Sequence, residues 1–343
     1  MDKKEKIETN GARNGSGALA GKTILVVNTG SIKKRFIFQK LKKLGLTVVV
    51  LNKEKDWAAG YVDHWILADI TNYPEAVQQV NNFITQNPDV KINGAVTFWE
   101  ESVLLTSKIV DKFNFIGIPF NVARSARNKF LFREFCEKNG LPAPRHIIIK
   151  RESDVTKAKD LKFPLVVKPI YGSSSAFVVK IDSLDELYNI YKYIKNNITS
   201  HPDSAEWDNL EIMAEEYIDG DEVDIDILLQ NGKIKFWSIS DNYKTKEPFF
   251  VETGQAIPSS LPKKDQLDLL ELAELTLEKL GVQNGCIHFE AKISRHGPVP
   301  IEVNLRMGGD EVNSFIRGAW HVDLAEYAIK ISLGIYFDKI KKK

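Results

Sequence analysis

Two short stretches late in the chain carry the residue types that chemistry on a phosphate requires. His288-Phe289-Glu290 and Glu302-Val303-Asn304-Leu305-Arg306 flank the turn Ser294-Arg295-His296-Gly297-Pro298. Polar and apolar residues alternate in both, so strands here would gather the polar side chains on one face. A hairpin symmetric about His296 sets Glu290 opposite Glu302 and His288 opposite Asn304. Like charges directly opposite each other destabilise a sheet, and each carboxylate raises the other's pKa unless a cation sits between them. A hard divalent ion with oxygen ligands is the natural cation, and Mg²⁺ typically takes one or two carboxylates together with substrate phosphates. Glu290, Glu302 and Asn304 would then form a metal–phosphate platform. The alternative is a polar sheet face on which the acids never meet.

Phosphate also needs cations and backbone donors. Lys168 follows the apolar run Pro164-Leu165-Val166-Val167, where a lysine rarely sits without a partner. Next comes Gly172-Ser173-Ser174-Ser175-Ala176, between two expected strands. Its amides and hydroxyls can wrap phosphate oxygens while Lys168 and Lys129 supply point charges; alone, it reads first as a flexible turn. Met213-Ala214-Glu215-Glu216-Tyr217-Ile218 stops at an Asp-Gly turn, which offers main-chain groups of Glu216 and Ile218 to an adenine edge. Glu222 can accept hydrogen bonds from ribose hydroxyls.

The elements that must hold these residues follow from periodicity. From Thr23, apolar strands alternate with helices: strands at 23–28, 46–52 and 92–98, helices at 33–45, 73–86 and 102–113. This predicts a small parallel sheet with helices on both faces over 22–118. One helix is expected over 121–138, then strands at 141–149, 164–170 and 171–181 and a helix at 183–195. The hairpin 223–240 turns at Asn231-Gly232, a strong two-residue turn signal. A long helix at 263–280, the two-glutamate hairpin and an amphipathic helix near 321–333 complete the chain. Two local signals mislead. Ser16 to Thr23 is one glycine short of a phosphate-binding P-loop and precedes a strand where a P-loop follows one; the first strand turn, Asn28-Thr29-Gly30-Ser31, lacks the glycines of a dinucleotide site.

Composition limits the function classes. The 343 residues point to two or three domains. Lys plus Arg number 47 against 46 for Asp plus Glu, so nothing global favours nucleic acid or an anionic membrane as partner. Two cysteines exclude a disulfide framework and a Cys-based zinc site, and a reducing, cytoplasmic location is expected. Residues 1–21 have no apolar signal run and read as a disordered leader.

Taken in order, Ala126-Arg127-Asn128-Lys129, Pro164–Pro169, Tyr171–Ala176, Glu215–Ile218 with Gly220–Asp224, His288–Glu290 and Glu302–Asn304 resemble the ATP-grasp superfamily of carboxylate–amine or carboxylate–thiol ligases. The resemblance covers roughly 22–340. It implies α/β and α+β architecture: an N-terminal parallel α/β domain (22–118), a central lid subdomain (119–214) and a C-terminal antiparallel-sheet α+β subdomain (215–340) bearing metal and chemistry. It further implies ATP clamped between the last two, with Lys129, Lys168 and Gly172, Ser173, Ser174 and Ser175 on phosphates. Glu215, Glu216, Tyr217 and Ile218 would form the adenine hinge and Glu222 would hold ribose. Glu290, Glu302 and Asn304 would ligate two Mg²⁺, or Mn²⁺ in their place, with Arg306 and Lys168 catalytic.

His288-Phe289-Glu290-Ala291-Lys292, Phe249–Ser259 and Glu302–Asp310 look most like amino-acid ligases that make dipeptides, carnosine-synthase-like enzymes among them. The expected reaction activates a carboxylate as acyl phosphate and joins it to an amine, both small molecules; a homodimer is compatible with this. Alternatives are a carboxyphosphate- or formyl-phosphate-forming relative and a non-catalytic ATP-binding protein. The substrate candidates are His288, Gly308, Gly309, Asp310, Glu252 and Glu100. For His288 a structural hydrogen bond is the rival reading, for Asp310 a plain turn, and for Glu252 and Glu100 solvated surface. Glu302-x-Asn-x-Arg-x-Gly-Gly differs from the ending of D-alanine–D-alanine ligases, which disfavours that identity.

Overall fold

The computed structural model of the chain describes residues 19–198 and 211–342, apart from the side chain of Lys244. A parallel sheet comes first, from β1 (Thr23–Val27), β2 (Thr47–Asn52), β3 (His64–Leu67) and β4 (Ile92–Val96), in the order β3-β2-β1-β4. β1 is buried at every position, as an apolar strand covered on both faces must be. Ile24 and Val26 pack towards α1 (Arg35–Lys43); Leu25 and Val27 pack towards α2 (Tyr73–Gln86) and α3 (Val103–Phe113). Leu19 is fully buried in the first of these cores, which corrects the expectation of a leader running to residue 21. Residues 1–18, the rest of that leader, lie outside the described residues.

The helix expected over 121–138 is two helices, α4 (Phe120–Arg127) and α5 (Lys129–Lys138). Asn128 between them is extended (φ −86°, ψ 108°), and its side chain accepts from Leu131 N at 2.9 Å to cap α5. A short side-chain acceptor of this kind competes with the helix ladder and favours a cap. Both helices share their core with the C-terminal sheet.

A small antiparallel sheet, in the order β5-β8-β6-β7, follows from β5 (His146–Ile149), β6 (Leu165–Pro169), β7 (Val179–Ile181) and β8 (Ile212–Glu216), with α6 (Leu184–Asn197) packed on it. The strand expected over 171–181 starts only at Val179. Before it the chain turns, with positive φ at Gly172, Ser174, Ser175 and Phe177, a backbone that cannot enter a ladder.

The last sheet is antiparallel, in the order β11-β10-β9-β12-β13. It comprises β9 (Asp221–Gln230), β10 (Lys233–Lys244), β11 (Glu252–Ala256), β12 (Gly285–Ser294) and β13 (Gly297–Asn304). One face holds Val223, Ile225, Ile227, Ile239, Ile287, Phe289 and Val303 against α7 (Lys263–Leu280) and α4. The other carries Glu222, Asp224, Ser240, Asn242, His288, Glu290, Lys292, Glu302 and Asn304. Burying one large apolar side chain contributes about 1.5–3 kcal/mol. A one-residue slip would exchange the faces, so the apolar set fixes which side chains look outward. Helices α8 (Val312–Trp320) and α9 (Leu324–Ser332) return the chain to the first sheet; β3, β11 and α8 are elements the periodicity does not reveal.

Candidate active site

A cleft of about 400 Å³ lies between the small sheet and the outward face of the C-terminal sheet. It gathers most of the predicted residues. Lys129, Lys168, Gly172 to Ser175, Glu215, Tyr217, Ile218, Glu222, Glu252, His288, Glu290, Glu302, Asn304, Arg306, Gly309 and Asp310 all line it. Glu100, Glu216 and Gly308 are not on its wall.

The expected pairing of the glutamates is present: Glu290 faces Glu302 and His288 faces Asn304. The route to it differs from a symmetric hairpin. The turn is the tight pair Arg295-His296 between Ser294 and Gly297, and Ile301, bulged opposite Glu290 and Ala291, restores the register. Bulges commonly re-aim side chains in this way. Burial, then the charge of Glu302, pushes the Glu290 carboxyl up to about 8, and Asn304 Nδ2 donates to it at 2.8 Å. Burial acts on Glu302 too, but Lys129, with Nζ 3.1 Å away, and Arg127 outweigh it and hold its carboxyl below the ordinary range. Two facing carboxyls, each destabilised by the other's charge, make a site that a divalent cation fits.

Beneath this pair, Arg133 Nε (2.7 Å) and Lys168 Nζ (2.5 Å) share the single carboxylate of Glu215. Arg133 also donates to Pro300 O at 2.7 Å. All three are buried, and the two cations overcome burial to hold Glu215 down to about 2. One acid against two bases leaves net positive charge under the cleft, suited to phosphate. The side chain of Glu215 is therefore a clamp on Lys168 and contacts no hinge.

The glycine–serine loop is held by two of the cations that flank Asn128. Lys129 Nζ donates to Gly172 O at 3.0 Å and Arg127 Nη1 to the same oxygen at 3.2 Å. Gly172 has φ 143°, a conformation open to glycine and unfavourable to other residues, which is why the loop turns there. Arg127 owes its place to the break at Asn128.

At the expected hinge, Glu216 N donates to Arg145 O at 2.9 Å and Tyr217 N to Pro164 O at 3.0 Å. The Glu216 carboxylate accepts from Lys162 N at 2.9 Å, outside the cleft. Lys292 was not singled out in the sequence. Its Nζ donates to Ile218 O at 3.1 Å and lies 4.8 Å from the Tyr217 ring centroid. Its spacing, two residues past Glu290 on the same strand face, is the signal that marks it.

His288 sits between two acids, Nδ1 3.0 Å from Asp226 and Nε2 3.6 Å from Asp224. Burial alone would lower its pKa, but the two aspartates outweigh burial and raise it to about 10. Gly308 packs on this group. A Cβ there would stand 2.9 Å from His288 Nδ1 and 3.0 Å from Asp226 Oδ1. The expectation that both glycines make room for substrate is thus corrected for Gly308, while Gly309 and Asp310 line the cleft.

Glu100 is buried and joins two arginines: 3.1 Å to Arg127 Nε and 2.7 Å to Arg306 Nε. It belongs to neither a solvated surface nor the cleft wall. Through it the first sheet's C-terminal end holds Arg306 at the cleft.

Residues 161–314 match the family model described as the ATP-grasp domain. Those residues carry the domain match, just under half of the chain, and the chain has the α/β and α+β architecture of the ATP-grasp fold. An L-amino acid ligase from Bacillus licheniformis superposes with a TM-score of 0.78 at 24% identity, covering 94% of this chain and 78% of that one. In sequence, human carnosine synthase 1 is 24% identical over 348 residues, 96% of this chain and 42% of that protein. The L-arginine-specific L-amino acid ligase of Bacillus subtilis is 22% identical over 320 residues, 90% of this chain and 75% of that protein. The chain spans about two fifths of the length of the carnosine synthase.

Proposed function

We propose that the protein is an ATP-dependent carboxylate–amine ligase that forms an amide between small molecules, with amino acids or peptides as the substrate class. The observation that carries this is the facing pair Glu290 and Glu302, set in one cleft with Lys129, Lys168 and Arg306. The named functions of the relatives support the same reading.

In this reading Lys129, Lys168 and the loop Gly172–Ser175 hold the phosphates. Main chain at Glu216–Ile218 and the carboxylate of Glu222 hold the nucleoside. Glu290, Glu302 and Asn304 would hold Mg²⁺ at two sites, where it would neutralise phosphate charge. A substrate carboxylate attacks the γ-phosphorus of ATP and ADP leaves; the amine then attacks the acyl carbon and phosphate leaves. Arg306 presents a fixed fork to the transferring phosphoryl group. The loop over the cleft keeps water from the acyl phosphate, which it would hydrolyse. Position and charge supply the rate, so no serine or cysteine nucleophile is needed.

Phosphate release measured over pairs of amino acids tests this. ADP formation that needs both a carboxylate and an amine, and that Arg306→Ala lowers at least a hundredfold, is the expected result. Dependence on bicarbonate or formate in place of an amino acid, or ligation undiminished in Arg306→Ala, would refute it.

A further inference from the structure

The loop between β10 and β11 leaves its own sheet and crosses to the small one. Thr245 N donates to Val251 O at 2.9 Å and Thr245 Oγ1 to Phe249 O at 3.3 Å, which closes residues 245–251 into a tight strap. The middle of the strap pairs with β7. Lys180 N donates to Pro248 O at 2.9 Å, and Val179 and Phe249 form an antiparallel bridge. β7 has three residues and stands at the edge of the small sheet, an edge of the kind that proteins tend to cover. Here the cover comes from the opposite wall of the cleft.

One side chain fastens the strap. The Glu247 carboxylate accepts from Tyr217 Oη at 2.7 Å and from Lys180 Nζ at 2.5 Å. Tyr217 follows β8 and lines the cleft, Lys180 lies on β7, and Glu247 itself is not on the cleft wall. A single acid thus joins the strap, the hinge stretch and the sheet edge. Beside it Phe250 is buried, with its ring 6.5 Å from that of Tyr217 and 5.5 Å from Lys292 Nζ. Burial, then the hydrogen bond to Glu247, raises the Tyr217 phenol above its ordinary range, so it remains a donor. Glu247 is exposed, and exposed ion pairs contribute little each. Such a contact biases the strap towards the closed position yet can break once in every turnover.

We infer that residues 245–251 form a latch between the two sheets, with Glu247 as the positioning residue that holds Tyr217 and β7 over a bound nucleotide and must let go before ADP leaves. Glu247 acts through Tyr217 and Lys180 and not on the reacting atoms. This rests on the reading of the cleft as a nucleotide site and adds what sets the rate of release.

Two measurements on the full chain test it. Displacement of a fluorescent ADP, bound with Mg²⁺, by excess unlabelled ADP in stopped flow gives the dissociation rate. Hydrogen–deuterium exchange without nucleotide reports the Lys180 amide that donates to Pro248. Glu247→Gln keeps the shape and removes the charge, and should speed MgADP release about fivefold while association changes less than about twofold. Exchange at Lys180 should accelerate by about the same factor, with Tm close to that of the parent. Lys180→Met should act in the same direction, and the double variant should be no faster than Glu247→Gln, because both substitutions break one contact. Unchanged release in Glu247→Gln, or effects of the two substitutions that simply add, overturns the latch. Faster release accompanied by faster exchange throughout the small sheet and a lowered Tm also overturns it, making Glu247 a structural residue. A parent that binds no MgADP refutes the nucleotide reading and the latch together, whereas binding with unaltered release refutes the latch alone.

Discussion

Glu100→Gln separates a positioning role from a chemical one, because Glu100 touches both Arg127 and Arg306 yet does not line the cleft. The substitution keeps shape and removes one charge. At an effective dielectric near 20, each contact of about 3 Å has a gross attraction of about 5 kcal/mol. Desolvation of the three groups offsets most of this, but removing one partner of a buried pair costs about 3–5 kcal/mol, since the remaining charge is left uncompensated. The Arg306 side chain is 12% exposed and can relax towards the cleft, so the lower end, about 3 kcal/mol, applies. If half of that must be recovered to bring Arg306 back to the reacting geometry, the barrier rises by about 1.5 kcal/mol and kcat falls about tenfold. A coupled ADP-release assay gives kcat, and calorimetry gives the affinity for MgADP, which should change less than threefold. Glu100→Asp should recover part of the rate. A Glu100→Gln protein with lowered Tm but kcat within twofold of the parent would refute the coupling and leave Glu100 a purely structural residue.

Two further outcomes follow from the same site. Glu215, held at about 2 against an ordinary 4.5, contributes stability that is complete above pH 4.5 and lost as pH falls towards 2. The shift is worth about 3 kcal/mol, so urea unfolding between pH 6 and 3 should show a steeper acid loss in the parent than in Glu215→Gln, and parallel curves would count against the clamp. Gly308→Ala places a Cβ 2.8 Å from Val312 Cγ1 and 2.9 Å from His288 Nδ1; overpacking of this kind costs about 1–3 kcal/mol, and kcat should fall about tenfold with His288 displaced, whereas a fully active variant would show that the imidazole position is unimportant.

The outward face of the last sheet was legible because a two-residue period survives any local irregularity. Glu290 and Glu302 could be paired from the chain alone, although the compensating turn and bulge could not be seen. The order of Lys129, Lys168, the serine loop and Glu222 was likewise readable, since each sits at an element's end. The partners of these residues were hidden. Glu100 and Arg306 are 206 positions apart and meet only because α8 and α9 return to the first sheet. Glu215 belongs to the stretch that the resemblance makes a hinge, yet its side chain faces the cleft and is held by Arg133 and Lys168, while that of Glu216 lies outside the cleft. β3 and β11 are short edge strands with mixed exposure, and such strands carry little periodic signal.

Placing one acid on each of three neighbouring strands gives the cleft a graded wall. Glu302 has a lysine, burial and the charge of Glu302 raise the Glu290 carboxyl to about 8, and Asp224 has His288 at 3.6 Å and, among the described residues, no lysine or arginine. A cation entering near Glu290 is repelled by Lys129 on one side and drawn by Asp224 on the other. The lysine at one end, with Arg127 beside it, gives the wall its direction, since Glu302 has these cations where Asp224 has His288 and Gln255. Exchange of Lys129 for a neutral residue should therefore weaken MgADP binding in calorimetry and leave Arg127 as the remaining cationic neighbour of Glu302.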